Sequence, residues 1–303
     1  NGGAKHPFWA DAQHKNPASN QWNVFYDALH NEPTIREMIL RRTRTLMDEL
    51  YTTSSSGAFF ETEAQQLESE IDPVLNVNIS SLLSEFDERR QDLYFNLFGP
   101  TGSEPLIPAA QSSGLLVSFG AIDFSPGSGS QDEEYIELVN STSEAIDLSG
   151  WTVEGGVDFA FSGGTILLGN SSVYLVRDKA AFRSRSSGLS GGQNLFIVGP
   201  YSGGLSSFGE TLTLRDDAGG LVSSTSYPGN PTDEQRFLVV SELMYQPTGN
   251  PDAEFIELMN ISQDVTLDLT GVKLVDGIEF AFAGSSVTSL GPGERVLVVR
   301  NAA

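Results

Sequence analysis

The chain has 303 residues, of which 39% are hydrophobic, and its 40 acidic against 17 basic side chains give a formal net charge of -23. This charge repels nucleic-acid backbones and anionic membrane surfaces, so we expect no nucleic-acid partner and interpret the acidic excess as a solubilising surface. Cysteine is absent, which excludes disulfides, thiolate metal sites and cysteine nucleophiles. No apolar run approaches the roughly 18 residues that a membrane-spanning helix needs, so we expect no membrane span.

The first hundred residues show apolar side chains at helical spacing. The pattern predicts three amphipathic helices, at about 35–50, 58–71 and 79–97, the first of them opened by Pro33. Each has one apolar face, so the helices must pack on one another or on another part of the protein. We therefore interpret residues 1–100 as a helical segment.

Residues 101–113 are rich in proline, glycine and serine, a composition typical of a linker. From residue 114 onward, short runs alternate apolar and polar residues and are separated by glycine, serine, asparagine and aspartate turns. Such runs predict an all-β sandwich or barrel. The chain is thus predicted to be mainly β with an α-helical N-terminal segment.

One phrase occurs twice: EYIELVN at 134–140 returns as EFIELMN at 254–260, and the similarity continues for about twenty further residues. The offset of about 120 residues is much longer than the repeat unit of a solenoid protein. The chain is therefore predicted to hold two tandem copies of one domain, at 114–230 and 237–303.

The second copy is predicted to be incomplete, because the sequence stops where counterparts of about fifty further residues of the first copy are due. A sandwich without its last strands exposes edge hydrogen-bonding groups and part of its core. We therefore expect residues 237–303 to be poorly ordered, or to lean on a neighbour, unless those strands are supplied. The chain also begins at Asn1 without a methionine, and we interpret it as a fragment.

The phrases EYIELVN, IDLSGW, DFAF, GTILLGNSSVYLVRD and FGETLTLRDDAGG occur in an order that closely resembles the lamin tail domain. The resemblance covers residues 114–230 completely and 237–303 in part. It implies an immunoglobulin-like β-sandwich, repeated twice, of a kind found in nuclear lamins and in many bacterial surface and secreted proteins. The second copy departs from the first at Val272, where the first copy has Trp151, so we expect looser packing there.

The stretch HPFWADAQHKNPASNQWNVFYDALHNEPTIREMILRRTRTLMDELY resembles the closing region of the CotH family, which are spore-coat-type kinase-like proteins. Bacterial proteins with this arrangement often carry lamin tail domains after the CotH domain, so the resemblance implies an extracellular or cell-surface bacterial protein. The nucleotide-binding and metal-binding motifs of that family lie upstream of this region, and nothing in the chain matches them. The resemblance therefore implies no catalytic residue and no cofactor in this chain.

Glu134 and Glu137 are candidates for a general acid and base pair. A spacing of three would place them on one face of a helix, but the phrase alternates like a strand, in which an odd spacing sends them to opposite faces. We therefore predict structural roles for both, through cross-strand or backbone hydrogen bonds, over ligand binding. Asn140 and Asn260 precede polar turns and are predicted to bond locally, although NST and NIS formally fit a glycosylation pattern.

The chain has three histidines, all in its N-terminal part: His6, His14 and His30. Their spacing, with Asp11 between the first two, matches no helical histidine pair, and we predict no metal site. Asp216 and Asp217 are typical of a hairpin turn and residues 127–134 of a polar loop, and neither has the alternating oxygen ligands of a calcium loop. The β region holds no histidine, which argues against Ser–His–Asp chemistry.

Two classes of function stay open. In the first, the sandwiches are non-catalytic adhesion or spacer modules of a bacterial secreted or cell-surface protein, and their partner is a protein or an extracellular polymer. In the second, the chain is part of an active CotH-type kinase. A lesser alternative is carbohydrate binding by exposed aromatic residues such as Trp151 or Tyr201, although Trp151 starts a strand after a turn, which favours a core position.

Overall fold

A computed structural model of the protein describes residues 28–29, 31–75, 78–96, 105–112, 114, 116–186, 188–189, 194–275 and 277–301. The chain divides into two compact units. The first contains the described residues up to Leu205 together with Glu210–Tyr227, and the second contains Ser206–Gly209 and the residues from Pro228 onward. Each unit is described by itself.

Three helices precede the strands of the first unit: α1 (Pro33–Leu50), α2 (Phe59–Leu75) and α3 (Ser80–Gln91). Their positions confirm the helices predicted from the apolar spacing. Pro33 lies in the first turn of α1, where the Glu32 side chain accepts a hydrogen bond from the Thr34 backbone N–H. After α3 the chain continues as a π-helical turn over Asp92–Asn96. None of the helices in the described part is long and apolar enough to cross a membrane.

A small core joins the helices to the residues that follow them. Met47 of α1, Leu93 of the π-helical turn and Ile107 are buried together. Arg90 is also buried, and it bonds Glu61 of α2 and the backbone carbonyls at the end of α1. Because that guanidinium is paired and hydrogen-bonded, the charge is tolerated inside the helical layer.

The first unit contains a two-sheet β-sandwich. Its strands are, in chain order, β1 (Val117–Asp123), β2 (Tyr135–Asn140), β3 (Ile146–Asp147), β4 (Thr152–Glu154), β5 (Val157–Ala160), β6 (Ile166–Leu167), β7 (Ser171–Val176), β8 (Ile197–Val198), β9 (Ser202–Gly203), β10 (Glu210–Arg215) and β11 (Leu221–Tyr227). One sheet has the order β1-β2-β7-β8 and the other β11-β10-β4-β5-β9, with a short β3-β6 ladder. A short helix, α4 (Lys179–Ser184), follows β7.

The alternation of β2 explains how one sheet faces the core. Ile136, Leu138 and Asn140 are fully buried, whereas Glu137 and Val139 between them are half-buried on the other face. The buried face contributes to one apolar core that includes side chains of both sheets. The mainly β sandwich predicted from the period-two runs is confirmed.

The second unit repeats the first seven strands. They are β12 (Leu238–Met244), β13 (Phe255–Asn260), β14 (Leu267–Asp268), β15 (Lys273–Leu274), β16 (Phe280–Ala281), β17 (Ser289–Leu290) and β18 (Arg295–Val299). They form a β12-β13-β18 sheet and the ladders β14-β17 and β15-β16. A five-residue helix, α5 (Asp233–Phe237), precedes them and begins with a capping box between Thr232 and Gln235.

The register of the two copies is the same. The pair Tyr135 and Val176 of β2 and β7 corresponds to the pair Phe255 and Val299 of β13 and β18. The first and second strands of each copy also share an irregularity in register at the same place. The repeat read from the sequence is therefore a repeat of strand pairing, which fixes the position that each residue of one copy holds in the other.

Val272 replaces Trp151 without changing the local backbone. In both copies this residue donates its N–H to a leucine carbonyl three residues earlier and accepts a hydrogen bond from the last phenylalanine of the repeat, Phe161 or Phe282. Trp151 is buried in the core, whereas Val272 is partly buried against the smaller core of the second unit. The looser packing expected at Val272 stays a prediction.

Candidate functional site

The two glutamates of the repeated phrase lie in different surroundings. Glu134 is buried and accepts hydrogen bonds at one carboxylate oxygen from the Tyr201 hydroxyl and the Leu205 backbone N–H, each at 3.1 Å. Glu137 accepts bonds from the Ala121 backbone N–H and the Tyr174 hydroxyl, each at 3.0 Å, on the other side of β2. Tyr201 packs in the core between the two sheets, whereas Tyr174 packs in a separate cluster with Phe182 of α4. The two carboxylates therefore bond to groups on different sides of the sheet, as the alternation predicts.

Burial raises the pKa of Glu134, and the hydrogen bonds from Leu205 and Tyr201 and the nearby charge of Arg177 oppose that shift without cancelling it. The Arg177 guanidinium lies 3.6 Å from the carboxylate. Burial and the adjacent carboxylate also raise the pKa of the Tyr201 hydroxyl. The Tyr201 hydroxyl is therefore neutral at ordinary pH and donates a hydrogen bond to Glu134. Through its bonds to Tyr201 and Leu205, Glu134 holds residues 201–205 against β2.

Glu137 has the opposite shift. Burial alone would raise its pKa, but hydrogen bonds from the Ala121 N–H and from the Ser172 and Tyr174 hydroxyls outweigh burial and hold the pKa below its usual value. These donors come from the strands on either side of β2. Glu137 thus stabilises the ladder between three strands, as the sequence predicts.

The counterparts of the two glutamates in the second unit, Glu254 and Glu257, both pair with arginines. The Glu254 side chain is 37% exposed, against 1% for Glu134, and pairs with Arg300 at 3.2 Å. Glu257 accepts a hydrogen bond from the Ser241 hydroxyl at 2.7 Å and pairs with Arg295 at 3.0 Å. In the second unit, the same phrase therefore forms ion pairs near the surface.

Asn140 and Asn260 have the local role that the sequence predicts, and both are fully buried. The Asn140 amide donates to the carbonyls of Glu144 and Leu168, and its oxygen accepts from the Thr142 N–H. The Asn260 amide donates to two carbonyls in the same way, and its oxygen accepts from the Ser262 N–H. Each side chain closes the turn after its strand, and a buried amide offers no surface for a glycan or a ligand.

Asp216 confirms the predicted hairpin turn between β10 and β11. Its carboxylate accepts hydrogen bonds from the backbone N–H groups of Ala218 and Gly220, and its backbone bonds close the same turn. The polar loop at 127–134 contains a short 3-10 helix, Gln131–Glu133. Within the described residues, no three His, Cys, Asp or Glu side chains gather as a metal site would require.

The histidine candidates His6, His14 and His30, with Asp11, lie outside the described residues. The prediction that they hold no metal stays a prediction. Trp151 and Tyr201 are both buried in the core of the first unit. The idea that they are exposed aromatic residues for sugar binding is wrong, because a sugar stacks on a ring face that solvent can reach.

A contact between α1 and the first sandwich is not predicted by the sequence. Arg42 donates to the Asp147 carboxylate at 3.1 Å, at the start of the turn after β3. Burial alone would raise the pKa of Asp147, but hydrogen bonds from Ser149, Thr45 and Arg42 outweigh it and lower the pKa. Asp147 therefore joins the helix to the sandwich.

The described part of the predicted linker takes part in the same contact. Arg41 and Arg44 of α1 donate to the backbone carbonyls of Ala109 and Pro108, at 2.9 and 3.1 Å. The Gln111 side chain accepts a hydrogen bond from the Asp147 N–H at 2.9 Å. These bonds tie residues 105–112 to both elements, a contact that proline, glycine and serine composition does not reveal.

A groove opens on the second unit. It has a volume of about 330 Å³ and is lined mainly by apolar side chains of β12, β13 and β18 and of the residues before β16. Six lining residues define its floor and rim: Leu243, Tyr245, Glu254, Ile278, Val299 and Arg300. The sequence predicts exposed core in this copy, and the groove is where that core is exposed.

The shared register shows which residues of the first unit hold the positions of the groove residues. Ile278 and Val299 correspond to Val157 and Val176. Val157 and Val176 are 2% and 0% exposed, whereas Ile278 and Val299 are 43% and 41% exposed. Val157 packs in the core between the two sheets, whereas Val176 packs in a separate cluster with Phe182 of α4. The groove thus exposes positions that lie in two buried clusters of the first unit.

In the first unit, the part of this surface that contains Val157 is covered by residues 196–205, named here the bridging segment. It begins alongside β7, where β8 pairs in parallel with Tyr174 and Leu175, and crosses to the other sheet, where β9 pairs with Val157. Tyr201 and Leu205 of this segment are buried in the core. The bridging segment therefore closes the open side between the two sheets.

The architecture is that of a tandem β-sandwich whose conspicuous polar residues in the first unit serve the fold. A family model of the lamin tail domain matches residues 111–229 and 231–303, and the chain belongs to this family, whose fold is an immunoglobulin-like β-sandwich. No curated protein matches the chain. The family model confirms the lamin tail resemblance for both copies.

Proposed function

We propose that the chain is part of a bacterial secreted or cell-surface protein, in which the two lamin tail sandwiches act as non-catalytic interaction or spacer modules. The observation that supports this proposal is the use of the candidate side chains by the fold. Glu134, Glu137 and Asn140 each bond backbone or side-chain groups of neighbouring elements. Groups engaged in this way are poorly placed to act on a substrate.

The N-terminal helices belong, in this proposal, to the end of a CotH-like kinase-related domain whose active site lies outside this chain. The resemblance of residues 6–51 to the closing region of that family supports this assignment. The contacts of Arg42 and Arg41 with the first sandwich and its preceding residues support a fixed attachment of the helices. The sandwiches would then hold or present the kinase-like domain.

The partner in this proposal is a protein or an extracellular polymer. The net charge of -23 supports the exclusion of nucleic acid, because phosphate backbones are repelled. The absence of cysteine is compatible with an extracellular setting, since no thiol is open to oxidation.

Calorimetric titration of the full chain with ATP and magnesium tests the non-catalytic part of this proposal. We expect no binding heat, since the nucleotide-binding motifs have no match in the chain. A titration with AMP and magnesium controls for heats of dilution. Binding of ATP at micromolar affinity would contradict the proposal and favour an active kinase.

A further inference from the structure

We propose that a cleft between α1 and the first sandwich binds a small molecule that carries a single carboxylate, whose charge is met by Arg41. The cleft has a volume of about 310 Å³, at the lower end of the range for small-molecule sites. All of its lining residues belong to the first unit, and none belongs to the repeated phrase. The inference goes beyond the spacer or interaction role and does not depend on it.

Two walls form the cleft. The helix α1 contributes three arginines and two carboxylates, and the sandwich contributes the end of β3, the turn that follows it and the hairpin between β10 and β11. Gln111 also lines the cleft. The charged lining residues are Arg41, Arg42, Arg44, Asp48, Glu49, Asp147 and Asp217.

Arg41 is the buried cation of this lining. The residue is 4% exposed, and one guanidinium nitrogen donates to the Ala109 carbonyl at 2.9 Å. The Nε–H group is buried and has no hydrogen-bond acceptor in the described part of the chain. A buried guanidinium whose donors are not all satisfied is costly, so a further acceptor at this place would stabilise it.

The other two arginines of the cleft already have carboxylate partners. Arg42 pairs with Asp147 at 3.1 Å, and Arg44 pairs with Asp48 at 2.9 Å. Among the described residues, no carboxylate forms such a pair with Arg41. The cleft therefore holds one buried positive charge that lacks a counter-ion, which is the charge that one carboxylate would match.

The electrostatics of Arg41 point the same way. Burial lowers the pKa of its guanidinium, and the nearby charge of Arg44 lowers it further, whereas the charges of Glu144 and Asp147 oppose the shift without cancelling it. The group stays charged at neutral pH, because arginine is not deprotonated in proteins. A bound anion beside it would supply the stabilisation that these carboxylates provide only in part.

The acidic residues of the lining limit the charge of the ligand. Glu49 and Asp217 are exposed, so water and salt screen their charges. A doubly charged anion would still bring a second negative charge close to Asp48 and Asp147, with no cation to match it. The cleft therefore favours a carboxylate with a single charge over phosphate or sulfate.

Gln111 adds a neutral donor to the lining. Its side-chain oxygen accepts a hydrogen bond from the Asp147 N–H at 2.9 Å, and the NH2 group of the same amide is a donor of the kind that binds a carboxylate. The cleft thus offers a carboxylate both a charged and an uncharged donor.

An NMR titration of the full 303-residue chain with sodium acetate tests the proposal. It is read at the Arg41 Nε–H signal and at the backbone amides of residues 41–45, assigned from triple-resonance spectra. We expect a saturable shift of these signals that sodium chloride at equal ionic strength does not give. Sodium sulfate should bind at least about tenfold more weakly than acetate, because of its second charge.

Three variants locate the bound acetate. Arg41→Gln removes the unmatched charge and should abolish the saturable shift of the amides. Gln111→Glu keeps an acceptor for the Asp147 N–H but places a carboxylate in the cleft, and it should weaken acetate binding at least about tenfold. Arg36→Gln removes the same charge at an exposed position of α1 outside the lining and should leave binding unchanged.

Thermal unfolding followed by circular dichroism checks that the variants fold. If Arg41→Gln does not fold, Gln111→Glu alone decides, since it leaves Arg41 in place.

Three results would overturn the proposal. The first is the absence of any shift with acetate beyond that with chloride. The second is acetate binding that Gln111→Glu does not weaken. The third is sulfate binding as tight as that of acetate, because the cleft would then not select a single charge.

Discussion

The two copies of the lamin tail sandwich contain nearly the same phrase, but its first glutamate has a different role in each copy. In the first copy, Glu134 is buried because Tyr201 and Leu205 of the bridging segment lie over it and donate to its carboxylate. In the second copy, Glu254 is more than a third exposed and depends on Arg300. The local sequence and the strand pairing are alike, so the difference comes from what covers the strand. Burial, and with it the role of a polar residue, is set by distant parts of the chain.

A charge placed at the same position in each copy should give the largest difference in stability between the two copies. Val157→Glu puts an unpaired carboxylate into the closed core of the first unit, which we expect to cost several kcal/mol and to unfold that unit. Ile278→Glu puts it on an exposed floor, where we expect a change of about 0.5 kcal/mol or less. Hydrogen exchange of peptides from β2 and β13, measured by mass spectrometry, separates the effects. Equal losses in both units would contradict the account.

The buried asparagines test the comparison where the two copies are alike, because Asn140 and Asn260 make equivalent hydrogen bonds. Asn140→Ala and Asn260→Ala each remove a side chain that bonds two carbonyls and one N–H of a buried turn. We expect each to destabilise its own unit by about 2–3 kcal/mol in urea titrations followed by peptide-resolved exchange. Asn230→Ala, at an exposed position, is the control. A much smaller effect for Asn260 would show that the second copy lacks the structured turn.

The paired glutamates give an intermediate effect. Glu134→Ala leaves the Tyr201 hydroxyl and the Leu205 N–H buried without their acceptor, and we expect a loss of about 1–3 kcal/mol for the first unit. Glu254→Ala breaks one partly exposed ion pair with Arg300, for which about 0.5 kcal/mol is expected in the presence of salt. The same urea titrations measure both. A loss from Glu254→Ala as large as that from Glu134→Ala would show that exposure does not decide the role.

The smallest effect concerns pH. Because burial raises the pKa of Glu134, its contribution to stability is fully present below the unfolded pKa of about 4.3 and decreases as pH rises through the folded pKa. Glu134→Gln keeps an acceptor for Tyr201 and Leu205 but does not ionise. We expect this variant to gain stability relative to the wild type as pH rises from the unfolded pKa through the folded pKa.

Two carboxylates whose pKa values shift in the opposite direction serve as controls for this pH measurement. The pKa values of Glu137 and Asp147 are lowered, so their contributions are present above the unfolded pKa and are lost as pH falls through the folded pKa. Glu137→Gln should therefore lose stability relative to the wild type as pH rises through the unfolded pKa. A constant difference between wild type and Glu134→Gln across that range would show that the Glu134 pKa is not raised.

Much of the fold was predictable from local patterns. Alternation placed Glu134 and Glu137 on opposite faces, and the polar turn after Asn140 indicated its local bonds, because both features depend on residues a few positions apart. The repeat likewise predicted equal pairing in the two copies. Turn chemistry at Asp216 was visible for the same reason.

The partners of these residues were not predictable. Tyr201 and Leu205 reach Glu134 from 67 and 71 positions away, and no local pattern records such a contact. The sequence therefore allows Tyr201 to be an exposed aromatic residue, although the side chain is buried. The hydrogen bond between Arg42 and Asp147 joins residues 105 positions apart, so it was not predictable from local sequence either.

Hydrogen exchange of the unmodified, monomeric chain tests the central claim most directly, which is that the bridging segment covers a surface of the first copy whose counterpart no described residue covers in the second. Peptides from β2 and β7 should therefore be much better protected than peptides from β13 and β18. Equal protection of the two copies in the monomer would contradict the account.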